Sequence, residues 1–310
     1  MGISVYRVLL ELLIFVVTGY AFRRLKIFTS DMSEKLSELL LKLVLPFSLI
    51  SSSQQHFVKS SISGVLLSIV LSLLYYLLSF AVLKCLLPRF CKRTDVTPII
   101  YDLCIFSNTG FLGFAITPLL FKETGTLFAI SHNFVFQLLY FTIGMGLVEN
   151  PSRPFRDLLK PRTLVSNRII LISVLSMVLY VLPFRFPGII TVSLKAFGSM
   201  MTPLSLFIVG LQTGSLSFKA LFREKGVIPL SLVRMLFVPG VFFIVLLLLP
   251  LDSEIKGVAF ILYAMPSASL NAVIAERSGR RPVLASSVVA VTTLLYFLLL
   301  PLDTALISYL

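Results

Sequence analysis

The sequence predicts an all-α, polytopic membrane protein with ten transmembrane helices, arranged as two inverted repeats of five. Three observations predict this fold class. The 310 residues are 57% hydrophobic with a mean hydropathy of +0.98, and only 13% are charged, against about 25% in soluble domains. The apolar residues gather in long runs, which are the signature of membrane-spanning helices. A short apolar motif also recurs in the two halves of the chain.

Ten apolar segments follow one another along the chain, each close to the roughly 20 residues that a helix needs to cross a bilayer. Spans 1 to 10 are predicted at 3–22, 34–53, 62–87, 98–120, 125–148, 166–184, 188–214, 226–250, 256–276 and 282–308. Span 2 is the least apolar, because Glu34, Lys35 and Lys42 interrupt it. A polar stripe of this kind is typical of a helix that faces protein rather than lipid. Glu11 within span 1 indicates a retained helix rather than a signal peptide.

The distribution of basic residues predicts that both termini lie on the non-cytoplasmic side. Eighteen of the 27 Lys and Arg residues fall in the loops after odd-numbered spans, and six fall on the opposite face. Basic residues of membrane proteins gather in cytoplasmic loops. The same rule accounts for the net charge of +13 without a nucleic-acid partner. We expect an integral protein of a plasma membrane or a bacterial inner membrane, with the lipid bilayer as its surroundings.

The motif that recurs in the two halves predicts the repeat. "LPFSLI" at 45–50 is similar to "TPLSLF" found 157 residues later, so span 2 corresponds to span 7. The same offset carries Asn108 in span 4 onto Met265 in span 9. An odd number of spans in each repeat turns the second repeat over relative to the first, which is typical of secondary transporters. The predicted repeats cover residues 1–150 and 151–310.

Spans 4 and 9 both contain residues that interrupt helices. Span 4 reads "IFSNTGFLGFAITPLLF", with Asn108, Thr109 and Gly110 at its centre, and span 9 reads "AMPSASLNAVIAERSG", with Pro266 and Asn271. Proline removes a backbone donor and breaks a helix. We therefore predict two broken helices, whose exposed N-termini hold an anion near the middle of the membrane without a fixed cation. The asparagine amides add neutral donors and acceptors beside the breaks.

Four stretches together resemble the auxin efflux carrier family, which includes plant auxin exporters and bacterial malate and malonate permeases. They are "LVLPFSLI", "SNTGFLGF", "MTPLSLFIVG" and "MPSASLNAVIAERSG", in spans 2, 4, 7 and 9. The resemblance implies that spans 4 and 9 cross at the substrate site. It also implies a scaffold of spans 1, 2, 6 and 7 and a transport unit of spans 3–5 and 8–10 that moves like an elevator. A homodimer through the scaffold is compatible with it.

The resemblance assigns the crossover asparagine to Asn108, its counterpart to Asn271 and the crossover proline to Pro266. Ser267 lies beside that proline and completes the predicted substrate site at the crossing. The chain departs from the family in two respects. Pro118 follows Asn108 by ten residues, where many relatives have an earlier proline, and only about twenty residues link spans 5 and 6. The short link favours a small carboxylate over auxin as the substrate.

Four further polar residues within the spans are candidates for the site. Asp102 is a candidate for carrying a coupling proton or holding Na⁺, or it reaches the cytoplasmic surface. Arg234 in span 8 pairs with a substrate carboxylate through its two-pronged guanidinium, or with Asp102 or the backbone. His132 titrates near neutral pH and is either a proton carrier or a structural histidine. Asn133 matches a family asparagine and is expected to line the site.

The most favoured function is a secondary active transporter of small organic anions such as malate, malonate or an auxin-like carboxylate, working by alternating access. No nucleotide-binding motif is present, so H⁺ or Na⁺ is expected as the coupling ion. No cofactor or metal is expected, since Cys85, Cys91 and Cys104 lack metal-ligand spacing. Enzymatic activity is not expected, because the polar cluster is amide and hydroxyl chemistry. The alternatives are a bile-acid or arsenite-type ten-span carrier, which Cys104 keeps open, and a sensor without net transport.

Overall fold

The computed structural model describes residues 2–54, 62–90, 97–150, 157, 168–182, 184–214 and 224–310. Within these ranges the chain is helical, with turns and one isolated β-bridge, which confirms the predicted all-α class. Many of the basic residues that predicted the orientation lie outside the described ranges, so the sidedness of the termini stays a prediction. They are Lys59, Lys92, Arg93, Arg153, Arg156, Lys160, Arg162, Lys219 and Arg223, and Cys91 lies outside as well.

The helices follow the predicted spans closely. In the first half they are α1 (Gly2–Arg24), α2 (Ser30–Leu39), α3 (Leu45–Ser52), α4 (Ile62–Phe90), α5 (Thr97–Ile105), α6 (Phe114–Leu139) and α7 (Met145–Glu149). In the second half they are α8 (Arg168–Val181), α9 (Gly188–Ser199), α10 (Met201–Gly214), α11 (Val227–Leu232), α12 (Val238–Leu248), α13 (Ser253–Ala264), α14 (Ser269–Arg277) and α15 (Pro282–Leu306). Short π-helical segments at Leu40–Val44, Thr109–Gly113, Tyr140–Gly144 and Val233–Phe237 join or precede these helices.

Two predicted helix starts were placed too late. α2 begins four residues before the predicted start of span 2, and α13 begins three residues before that of span 9. In both cases a polar side chain caps the first turn. The hydroxyl of Thr29 accepts from the N–H of Met32, and the carboxylate of Asp252 accepts from the N–H of Glu254. Capping satisfies backbone donors that would otherwise lack a partner, so the helices extend into polar sequence.

Some helices in the described part of the chain meet the length and hydropathy required of a continuous membrane span. Four do so: Ser63–Cys85, Phe128–Glu149, Gly188–Leu211 and Val227–Leu248. A bent pair within 282–309 brings the number to five. Spans 4 and 9 do not qualify because they are broken. α5 has nine residues, α13 twelve and α14 nine, each well short of about 20. The complete ten-span topology stays a prediction.

The chain folds back on itself between predicted spans 4 and 5. The hydroxyl of Thr117 donates to the carbonyl oxygen of Gly125 at 3.0 Å. In a straight helix, two residues separated by eight positions lie about 12 Å apart along the axis. α6 is therefore sharply bent between them, at the position where the sequence predicts the connection between the two spans.

Prolines follow two of the π-helical segments directly. Pro46 comes two residues after Leu40–Val44, and Pro239 comes two residues after Val233–Phe237. A proline removes one backbone donor and clashes with the carbonyl four residues earlier. A wider π turn accommodates that clash within a continuous helix, and such turns are frequent at functional sites. The second of these segments carries Arg234.

Glycines bring α1 and α10 into backbone contact. A Cβ atom added at Gly19 would lie 2.1 Å from the carbonyl oxygen of Phe207, and one added at Gly210 would lie 2.1 Å from that of Val16. Only glycine fits at such distances, and small residues are the usual means of close helix packing in membranes. Predicted spans 1 and 7, both expected in the scaffold, are thus joined along a tight seam.

Candidate functional site

The two helix interruptions predicted from the sequence lie next to each other in space. Residues 106–108 separate α5 from the following π-helical segment, and residues 265–268 separate α13 from α14. Ser107 and Ser267 form an antiparallel bridge. Two extended stretches thus pair across the protein interior, and we call this place the crossing.

Two backbone hydrogen bonds hold the crossing together. The N–H of Asn108 donates to the carbonyl oxygen of Pro266 at 2.8 Å, and the N–H of Ala268 donates to that of Phe106 at 2.9 Å. Backbone groups freed by a helix break need partners inside a membrane, because no water is available in the hydrocarbon region. Here each broken helix supplies the partner of the other.

The N-terminus of α14 faces the crossing without a side-chain cap. Its N-cap residue, Ala268, has an extended backbone and no side chain that can accept from the first turn. The free N–H groups at a helix start carry partial positive charge and favour anions. The hydroxyl of Ser269, the first residue of α14, is buried and has no partner among the described residues.

Asn108 is the most unusual residue of the crossing. Its side chain is 1% exposed, yet neither Nδ2 nor Oδ1 has a hydrogen-bond partner in the described part of the chain. The hydroxyls of Ser107 and Thr109 on either side are also buried and unpartnered. A buried polar group left without a partner costs about 1–3 kcal/mol, so a cluster of them requires an explanation. A polar ligand at this position would supply the missing partners.

Asn271 differs from Asn108 in its contacts. Its Nδ2 donates to the backbone carbonyl of Asp102 and to the hydroxyl of Ser267, both at 2.9 Å. Its Oδ1 has no partner among the residues described. The two asparagines predicted as counterparts are therefore not equivalent. Asn271 ties α14 to α5, whereas no described protein group holds the amide of Asn108.

Asn133 of α6 lies against Gly110. A Cβ atom added at Gly110 would lie 2.9 Å from Oδ1 of Asn133, so glycine is what permits this approach. The Oδ1 atom of Asn133 and the Oε1 atom of Gln137, one turn further along, are buried and without partners within the described ranges. The structure thus brings Asn133 next to the segment that follows Asn108, as the sequence predicts for a residue that lines the site.

A small cavity opens beside Asn133. Its lining comes from α3, α6 and α8 and mixes amide and hydroxyl groups with apolar side chains. The residues are Leu49, Ser53, Ile130, Asn133, Phe134, Gln137, Ser173, Ser176, Met177 and Tyr180. Among the described residues of this lining there is no Lys, Arg, Asp, Glu or His.

Asp102 is fully buried in α5. One carboxylate oxygen, Oδ2, has no partner in the described part of the chain. The other, Oδ1, points towards Gly144, where an added Cβ atom would lie 3.1 Å from it. No described Lys or Arg side chain pairs with this carboxylate. The structure therefore does not join Asp102 with Arg234, one of the pairings that the sequence left open.

Arg234 is also fully buried, and the protein supplies partners for all five of its N–H groups. Nε donates to the carbonyl of Met265, and Nη2 donates to Met265 and Tyr263 at 2.6 and 2.8 Å. Nη1 donates to the hydroxyl of Tyr75 at 2.5 Å and to the carbonyl of Cys104 at 3.1 Å. Of the pairings open from the sequence, the structure shows the one with the backbone.

His132 is buried with both ring nitrogens occupied. Nδ1 lies 2.7 Å from the hydroxyl of Ser72, and Nε2 lies 3.2 Å from that of Tyr76. The ring stacks on Tyr76 at a centroid distance of 5.5 Å and meets Tyr263 edge-on at 5.0 Å. These contacts place the imidazole in an aromatic cluster between α4, α6 and α13.

Two residues at the crossing were not predicted from the sequence. Tyr75 accepts from Arg234 and donates to the carbonyl of Ile105 at 2.9 Å. Thr292 of α15 accepts from the N–H of Ser267 at 3.2 Å. A tyrosine or threonine hydroxyl in an apolar span needs a partner, but the sequence does not show where that partner lies. Among the described residues, no group of three His, Cys, Asp or Glu side chains is placed to hold a metal ion.

A comparison with protein families agrees with this geometry. A family model described as a membrane transport protein matches residues 4–303, nearly the whole chain. No curated protein matches the sequence. The matched range includes both broken helices, Arg234 and the glycine seam of α1 and α10. The chain belongs to the auxin efflux carrier family of membrane transport proteins.

Proposed function

We propose that this protein is a secondary active transporter that binds a small organic anion at the crossing. The observation that carries the proposal is the buried, unpartnered amide of Asn108. It lies between the unpartnered hydroxyls of Ser107 and Thr109. These groups offer both donors and acceptors in a place where water is scarce. A ligand with a carboxylate would satisfy the donors and relieve the cost of leaving them unpaired.

The charge at the crossing suits an anion. The uncapped N-terminus of α14 and the segment that starts at Thr109 both begin at the crossing. Each helix N-terminus is equivalent to about half a positive charge, and anions bind readily there. The helix N-termini supply this positive potential without a cationic side chain. Arg234 is not free to bind the anion, because it uses all its donors within the protein. A small carboxylate such as malate or malonate suits this arrangement.

We further propose that transport proceeds by alternating access of the elevator type, within ten spans in a 5+5 inverted repeat. The cavity supports this reading because its walls come from different predicted units. α6 belongs to the expected transport unit, whereas α3 and α8 belong to the expected scaffold. A cavity at such a boundary, beside the Asn133 that contacts the crossing segment, opens to one side or the other when one unit slides past its neighbour.

Asp102 is the proposed coupling residue. Its buried carboxylate has no cationic partner among the described residues, and its backbone carbonyl accepts from Asn271. A change in the charge of its carboxylate would thus arise in the same residue whose backbone ties α5 to α14. An intramembrane carboxylate in this situation is typical of ion-coupled carriers. His132 is the second candidate for coupling. It is less suited than Asp102, because both of its ring nitrogens already have partners.

Uptake into liposomes tests the proposed function. The purified protein is reconstituted, and entry of labelled malate, malonate and indole-3-acetate is measured under imposed pH and Na⁺ gradients in turn. We expect saturable uptake of at least one acid, lost in Asn108→Ala and kept in Asn150→Ala, an exposed asparagine outside the site. Uptake of arsenite or a bile acid instead would support the alternative carriers. Binding without any uptake would support a sensor.

A further inference from the structure

Four oxygen atoms converge on the guanidinium of Arg234 from two broken helices and one neighbour. Three are the backbone carbonyls of Cys104, Tyr263 and Met265, at 2.6 to 3.1 Å, and the fourth is the hydroxyl of Tyr75. Each of the five N–H groups has an acceptor. The set is fixed in geometry, because a planar guanidinium presents its donors as a rigid fork.

The three carbonyls belong to the C-terminal ends of the first halves of the broken helices. Cys104 is in the last turn of α5, and Tyr263 and Met265 lie at the end of α13. Carbonyls in a last turn have no partner within the helix, and each helix end is equivalent to about half a negative charge. The single positive charge of Arg234 offsets both ends at once. The N-terminal ends at the crossing keep their positive potential for an anion.

We propose that Arg234 is a resident cation that occupies the carbonyl-lined position between the two helix ends, so that the crossing assembles without Na⁺. Carbonyl groups at half-helix C-termini are the ligands by which broken-helix transporters bind Na⁺. Here the guanidinium already takes them. The residue is a positioning residue, since it acts by holding the two breaks together. One consequence rests on the proposed function: transport is independent of Na⁺, which leaves H⁺ as the coupling ion.

No competing partner accounts for the burial of this charge. The side chain of Arg234 is 0% exposed and forms no ion pair with a described carboxylate. A buried charge is tolerated only when hydrogen bonds or a counter-charge compensate it. The carbonyl dipoles supply that compensation. Lysine has three donors and a single nitrogen, so it would keep the charge and lose most of the contacts.

Chemical rescue tests the proposal without any assay of transport. The melting temperature of the purified protein is measured for wild type, Arg234→Ala and the control Arg281→Ala, which removes an arginine paired with Glu224 at the surface. Each is measured in choline, Na⁺ and millimolar guanidinium. We expect Arg234→Ala to melt about 5 °C or more below wild type, and guanidinium to restore much of this loss. Wild type and Arg281→Ala should respond to neither cation.

Two further variants keep the test decisive if Arg234→Ala does not fold. Arg234→Lys keeps the charge, whereas Arg234→Gln keeps hydrogen-bond donors without it. We expect Arg234→Lys to be the less destabilised of the two, and equal loss would overturn the proposal. So would stabilisation of wild type by Na⁺, or a guanidinium effect no larger on Arg234→Ala than on Arg281→Ala.

The stability and uptake measurements distinguish a failure of the inference about Arg234 from a failure of the proposed function. If guanidinium restores the stability of Arg234→Ala but the wild-type protein transports no organic anion, the inference about Arg234 is supported and the proposed function is contradicted. Conversely, Asn108-dependent uptake driven by a Na⁺ gradient would leave the function standing and overturn the inference.

Discussion

The backbone N–H of Asn108 donates to the carbonyl of Pro266 at 2.8 Å, while the side-chain amide of the same residue has no partner in the described part of the chain. One residue thus fastens the two broken helices with its backbone and leaves its side chain for another molecule. This division of labour accounts for an asparagine buried in an apolar segment.

Asn108→Ala and Asn271→Ala should separate binding from stability. Asn271→Ala removes two hydrogen bonds between α14 and its neighbours and should lower the free energy of unfolding by about 1–3 kcal/mol. Asn108→Ala removes an amide that has no partner among the described residues, and it should leave the free energy of unfolding unchanged or raise it. Thermal unfolding without substrate measures both. A larger loss in Asn108→Ala than in Asn271→Ala would contradict the assignment.

Gly210→Ala should disrupt the seam between α1 and α10. The added Cβ atom would lie 2.1 Å from the carbonyl oxygen of Val16, so the two backbones must move apart. We expect a loss of about 3 kcal/mol or more, in the range of severe overpacking. Gly240→Ala is the matched control, because nothing lies within 4 Å of its added Cβ atom, and alanine is the better helix former. Equal stability of both variants would show that the seam is not close-packed.

Asp102→Asn should flatten the dependence of transport on the coupling ion. The amide keeps the size of the buried side chain and cannot change its charge. Uptake is measured across a range of pH and Na⁺ gradients, with Asp303→Asn as a control, since Asp303 is a buried carboxylate in α15. Unchanged dependence in Asp102→Asn would make this residue structural, and flattening by Asp303→Asn alone would move the coupling there.

A cross-link between α2 and α14 should stop transport. The hydroxyl of Ser37 donates to Oε2 of Glu276 at 3.1 Å, which joins the expected scaffold to the expected transport unit. Cysteines at these two positions, joined by a short thiol-reactive linker, would prevent the units from sliding, and uptake should fall to background.

The control for this cross-link joins two residues within the transport unit. Glu224, two residues before span 8, and Arg281, between spans 9 and 10, form an ion pair at 2.5 Å, and both adjoin spans of that unit. Cysteines joined at these positions should leave uptake intact, because nothing needs to move between them. Full activity of the Ser37 and Glu276 cross-link would rule out an elevator with this boundary.

The positions of the breaks could be predicted because they depend on residue types that are close together in the sequence. Asn108 and Pro266 are polar or helix-breaking residues within apolar runs, and the Ser, Thr and Gly residues beside them also favour turns over a continuous helix. The partners across the crossing could not be predicted in the same way. Arg234 lies 130 residues from the carbonyl of Cys104 that accepts from it, and Tyr75 lies 159 residues from Arg234. Such pairs depend on how the helices pack.

The difference between the two asparagines was likewise hidden from the sequence. Asn108 and Asn271 are the same residue type beside the two breaks, and the family resemblance implies that they are counterparts. Only the packing of α14 against α5 brings Asn271 within reach of the carbonyl of Asp102. The resemblance pairs the two residues, but the contacts at each position are set by neighbours that differ between the two halves.

Equilibrium binding of labelled malonate to the purified protein tests the central claim most directly, namely that the amide of Asn108 holds an organic anion at the crossing. Binding is compared in wild type, Asn108→Ala and Asn150→Ala, in a Na⁺-free buffer. The account predicts saturable binding in wild type and Asn150→Ala and a loss of at least about tenfold in Asn108→Ala, the equivalent of about 1.4 kcal/mol. Equal binding by all three proteins would contradict it.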